Sequence, residues 1–150
     1  MNDFGKGRWV QLATLPLGTD SLVFVLLQAT SLPSDNTIKR TQYLSAILSS
    51  GTGTGLECTF TNYARQSKSG AAITITVNTS TDVVTLDTSD ISIGSAGGAL
   101  NNDVARAVLC YKPTSSTADT AIPILSSHDC VISTTGGALT LTIPSIGTAT

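Results

Sequence analysis

Ser21-Leu22-Val23-Phe24-Val25-Leu26-Leu27-Gln28-Ala29 decides how the rest of the chain is read. Leu22 through Leu27 is an unbroken apolar run. A strand with one face in water alternates apolar and polar residues, and this stretch does not. A buried helix shares the lack of alternation, but the run is short and contains Val23, Phe24 and Val25. It is also bounded by Gly18 before it and Pro33 after it, which favours a strand. Such a strand has protein on both faces, or a core on one face and a partner on the other.

Working outward, the same residue types recur in shorter, alternating stretches. Leu56, Cys58 and Phe60 are predicted on one face of a strand over Leu56–Thr61. Ala71–Asp87 reads as a hairpin, with Ile73, Ile75 and Val77 on one side, Thr74 and Thr76 on the other, and a turn at Asn78–Asp82. Ile91–Ile93, Val104–Tyr111, Ile122–Leu125, Cys130–Ser133 and Ala138–Ile143 read as further strands, and Trp9–Leu15 as a first one. Thr37–Ser50 is the one good helix candidate. Ile38, Leu44, Ile47 and Leu48 form its stripe, Asp35, Asn36 or Thr37 its cap and Gly51 its stop. These elements predict a mainly β fold, an antiparallel β-sandwich or jelly roll with one short α-helix. The expected organisation is an N-terminal arm over 1–9, one domain over 10–144 and a C-terminal tail over 145–150.

Composition narrows the function. Charged residues are 12% of the 150, about half the ordinary globular share. Net charge is −2 and the basic residues are dispersed apart from Lys39-Arg40, so there is no electrostatic footprint for nucleic acid. No apolar run is long enough to span a membrane. Met1–Trp9 lacks the apolar stretch of a signal peptide, so synthesis and first folding are expected in the cytoplasm. Free monomers keep their surfaces charged to stay apart, and a Thr/Ser-rich surface suits a protein packed against others.

Residues that could carry chemistry are few. The only histidine, His128, stands beside Asp129 and Cys130 in Ser-Ser-His-Asp-Cys. On a strand His128 and Cys130 share a side and Asp129 does not. Cys110 could join them in a zinc site or a thiol–imidazole pair, but the spacing has no Cys-x-x-Cys and the ligands stop at three. The bland alternative, a histidine at a strand start and three cysteines in the core, is preferred. Asp82, Asp87, Asp90 and Asp103 are expected as solvated turn residues, and Gly51–Gly55 as a connector without a phosphate-binding ending. Catalytic, cofactor and metal residues are therefore expected to be none. Phe4, Arg8 and Trp9 form an aromatic and basic cluster of the kind enriched at interface anchors.

Three stretches carry a resemblance. Asp3-Phe4-Gly5-Lys6-Gly7-Arg8, then Glu57-Cys58-Thr59-Phe60-Thr61-Asn62-Tyr63-Ala64-Arg65, then Ala107-Val108-Leu109-Cys110-Tyr111-Lys112-Pro113 followed by Ile122-Pro123-Ile124-Leu125 and His128-Asp129 stand in this order. They resemble a family of small structural proteins of tailed bacteriophages. Cys130 stands where that family has an aromatic residue. The resemblance implies a non-enzymatic virion component on the outer capsid surface, a decoration or cement protein. Its implied partners are the major capsid protein and copies of itself, as a homotrimer. A tail, baseplate or fibre-associated subunit is the second expectation. A carbohydrate-binding module is a third, with Tyr63 and Tyr111 as candidate platforms.

Overall fold

Ser21–Gln28 forms the first strand, β1, and Leu22 through Leu27 are all buried, at 3% exposure or less. The structure is a computed structural model and describes residues 19–30, 32–50, 56–81, 83–142 and 147–149. The arm 1–9 with Phe4, Arg8 and Trp9, the predicted strand Trp9–Leu15, the loop Gly51–Gly55, Asp82 and Ile143 lie outside the described residues. Leu22, Phe24 and Leu26 enter one hydrophobic cluster, and Val23, Val25 and Leu27 enter another on the opposite face. The unbroken run is thus two alternating sets, each with its own core. Burying such a side chain is worth roughly 1.5–3 kcal/mol, so these six residues anchor the fold.

β1 lies between β2 (Gln66–Lys68) and β6 (Asp103–Lys112), and β6 pairs with β7 (Ile124–Ser133). All three pairings are antiparallel. β2 covers only Leu22–Phe24. Further along, the Gln28 amide donates to the Leu56 carbonyl and the Cys58 amide to the Leu26 carbonyl, both at 2.9 Å. The strand predicted over Leu56–Thr61 is therefore a brief contact at Glu57, and its side chains divide. All three apolar residues are buried, but Leu56 joins the cluster of Val23 while Cys58 and Phe60 join that of Phe24. The chain leaves the sheet after Cys58 and turns at Asn62, whose φ of 69° is one that Asn tolerates. It returns as β2, in a stretch whose polar residues predict a loop.

One face of the central sheet is covered by two helices where the sequence predicts one. α1 (Asp35–Arg40) is capped by Ser34, one residue earlier than expected, whose Oγ accepts the Thr37 amide at 3.3 Å. α2 spans Leu44–Ser50. The chain between them is drawn into the sheet. The Ile124 amide donates to the Gln42 carbonyl and the Leu44 amide to the Ile122 carbonyl, both at 2.9 Å, and Tyr43 bridges Pro123. Tertiary hydrogen bonds outweigh the helical pattern there. The predicted stripe survives the break: Ile38, Leu44 and Ile47 are fully buried.

The other face meets shorter strands. β5 (Ile91–Ile93) pairs with β8 (Leu139–Leu141), and β3 (Ile73–Asn78) forms the predicted hairpin with β4 (Val83–Thr88). Gly147–Ala149, which the sequence reading places in a tail, adds to β4 as β9. Leu86, Ile91, Ile93, Leu139 and Leu141 close over Leu22, Phe24 and Leu26. The molecule is mainly β, and the strand pairings among its described residues are antiparallel, a β-sandwich with helices on the outer face of its larger sheet.

Candidate functional site

Ser-Ser-His-Asp lacks an apolar residue and separates two predicted strands. In the structure it lies inside β7, so His128 is mid-strand rather than at a strand start. Alternation then divides the triplet as expected. Cys130 packs against the sandwich core, while Asp129 turns away and accepts from Arg106. His128 Nε2 shares a hydrogen bond of 3.0 Å with Ser126 Oγ. Burial lowers the His128 pKa below its ordinary value, so the imidazole is neutral at pH 7. Burial also pushes the Cys130 thiol up to about 11, with Asp129 adding to the effect. Cys110 lies on the helix side of the sheet, fully buried, its thiol pKa raised by desolvation.

His128 and Cys130 line a cleft of about 350 Å³ with Ala107, Leu141 and Thr142. The cleft offers a neutral ring, a protonated thiol, Ser127 and Asp129 of the same strand and an apolar wall of Ala107 and Leu141. Asp129 accepts from Arg106, and the pull of Arg106 toward thiolate at Cys130 is outweighed by burial and by Asp129. Among the described residues no group of three or more His, Cys, Asp or Glu is placed to hold a metal. Of the aspartates expected in turns, Asp87 lies in β4 and Asp103 opens β6, while Asp90 lies between strands. Asp87 accepts the Thr88 amide, Asp90 accepts from Thr142 and Asp103 from Ser133.

The resembling segment Glu57–Arg65 folds into a charge network that the sequence does not announce. Arg65 donates through Nε and Nη2 to Glu57 at 2.8 and 2.7 Å, and through Nη1 and Nη2 to Asp119 at 2.6 and 2.8 Å. Tyr63 donates to Glu57 at 2.8 Å and its hydroxyl accepts the Leu26 amide at 3.1 Å. That amide faces the gap where the chain swings away from β1, and the phenol supplies its missing partner. Hydrogen bonds to Glu57 and Asp119 raise the Arg65 pKa, and the bond from Arg65 lowers that of Asp119. The sequence signal was scarcity: Glu57 is the chain's only glutamate. Tyr63 packs edge-on against Phe60 and Tyr111 donates to Asp20 at 2.6 Å, so both candidate platforms have anchored hydroxyls.

A second arginine sits on the helix side. Arg106 is 7% exposed and joins Asp35 of α1 at 2.7 Å to Asp129 of β7. These ion pairs tie α1 and β7 to β6, and Asp129 also borders the cleft between His128 and Cys130.

The exposed strands differ in how their edges are finished. β2 has three residues and ends in Lys68. β7 has ten, with Val131 95% exposed, but its ladder to β6 shifts register twice. β3 keeps an unbroken register with β4, has no charged residue, and carries Val77 at 62% exposure. No family model, curated protein or solved structure matches the chain.

Proposed function

We propose that this chain is a non-enzymatic virion structural protein of a tailed bacteriophage, a capsid decoration protein bound to the outer surface of the head. In this reading its partners are the major capsid protein and copies of itself, three to a unit, and Phe4, Arg8 and Trp9 contact the shell. The observation that carries the reading is an antiparallel β-sandwich many of whose solvent-facing strand residues, such as Thr74, Thr76, Thr140 and Ser92, are hydroxylic, with Asp87, Asp103 and Asp129 the exposed charged ones among the described strand residues. A surface of this kind desolvates at low cost against a neighbour, and repetition over a lattice adds weak contacts together. The segment Glu57–Arg65 supports the reading in a second way. The residues that carry the resemblance are those that hold β1 to the chain leaving it.

The test is binding to capsids that lack the protein, followed by cryo-electron microscopy. The full chain is expected as density over junctions between capsid subunits, with a higher temperature of capsid disruption. Deleting residues 1–9 is expected to weaken attachment more than it lowers the melting temperature of the free protein. No binding to capsids, or density on the tail alone, overturns the decoration reading.

A further inference from the structure

We propose that β3 is a self-pairing edge, joining antiparallel to β3 of a second copy about a two-fold axis through Ile75. Sheet edges in natural proteins are blunted by shortness, lysine, proline or register breaks, because an open edge is a template for another strand. β2 is short and lysine-tipped, and β7 is irregular, with its first amide already given to the Gln42 carbonyl. β3 has none of these guards. Its ladder runs without a break from Ile73↔Thr88 to Asn78↔Val83. No charge and no proline occurs between Lys68 and Asp82. Its outer edge pairs with no strand among the described residues.

The side chains specify the occupant and the register. Ile73 and Ile75 lean on the sandwich core, Thr74 and Thr76 face solvent, and Val77 lies beyond the core on the isoleucine side. Directly opposed residues of an antiparallel pair share a face. Centred on Ile75, the pairing sets Ile75 against the partner's Ile75, Ile73 against the partner's Val77 and Thr74 against the partner's Thr76. Each apolar residue meets an apolar residue, each threonine a threonine, and the exposed valine is covered. A slip of one residue would set isoleucine against threonine along the whole strand. The absence of charge removes the like-charge repulsion that a two-fold contact otherwise risks. The joined sheet runs β9-β4-β3 into the partner's β3-β4-β9. This contact does not rest on the virion reading, and it is distinct from a three-fold association.

Sedimentation equilibrium of the full chain and of the double variant Thr74→Lys, Thr76→Lys tests it. Both threonines point away from the core, so the lysines oppose each other across the axis and leave the melting temperature near wild type. The expected result is twice the monomer mass for wild type and the monomer mass for the variant at the same concentration. Hydrogen exchange of the wild-type chain needs no variant: amides of residues 73–78 are expected to gain protection as concentration rises. A wild-type monomer up to millimolar concentration, or amides 73–78 indifferent to concentration, overturns the proposal. A three-chain mass untouched by the lysines also overturns it and leaves the virion reading standing. A dimer lost to the lysines in a protein that does not bind capsids does the reverse.

Discussion

β1 and β3 are made of similar residues and meet different fates. Leu22–Leu27 is apolar at every position and buried on both faces, between β6 on one side and β2 with residues 56–58 on the other. Ile73–Val77 alternates, covers one face only and leaves one edge unpaired among the described residues. Hydrophobic period therefore reports how many faces a strand has covered. It is silent about edges, because backbone groups look alike in every sequence. Edges are read from charge, proline and register. On those signs β1 holds the fold and β3 is free to meet something else.

The largest test of this contrast is a pair of truncations. Phe24→Ala is expected to cost about 3–5 kcal/mol in urea unfolding, since it opens a cavity in the sandwich core. Val77→Ala is expected to stay within about 0.5 kcal/mol, as an exposed position should, when measured on the monomer. Comparable losses would erase the distinction between the two strands.

A smaller effect probes the gap beside β1. Arg65→Met leaves Glu57 and Asp119 without their shared cation and loosens the phenol that holds the Leu26 amide. It is expected to cost about 1–3 kcal/mol and to speed hydrogen exchange at Leu26. Unchanged exchange there would mean that β1 is held without the network.

The smallest expected effect concerns β7, whose exposure lies between the two. Burial lowers the His128 pKa in the folded chain from 6.5, so on acidification the unfolded chain takes up the proton first. Stability is therefore full above pH 6.5 and declines as pH falls through the folded value. His128→Gln is expected to remove that part of the decline in a series of melting curves. An unaltered slope would place the imidazole in solvent.

Much of this architecture is legible in residue order. The run Leu22–Leu27, the hairpin around Asn78, the strand over Val104–Tyr111 and the alternation at Leu139 and Leu141 all reappear where their patterns place them. What is not legible depends on partners distant in sequence. Thr37–Ser50 carries a fair helical stripe, and only the carbonyls and amides of Ile122–Ile124 explain its interruption. Ser126–Asp129 separates two predicted strands because it lacks apolar residues, and only the tertiary partner of Asp129, Arg106, accounts for its place inside β7. Arg65 finds Asp119 across 54 positions, a pairing no local spacing encodes. The cleft beside His128 combines β7 with Leu141 of β8 and Thr142 just after it, so its existence, too, waits on tertiary structure.

The interruption at Thr41–Tyr43 has one more consequence. By accepting the Ile124 amide at the Gln42 carbonyl, while the Leu44 amide donates to the Ile122 carbonyl, the join between α1 and α2 acts as a hem on the larger sheet. A chain redesigned so that residues 35–50 formed one continuous rod would gain local helical order and unpick that hem. The bared rim would then offer unpaired amides and carbonyls to other copies, so a change that improves one helix would open a new edge for association.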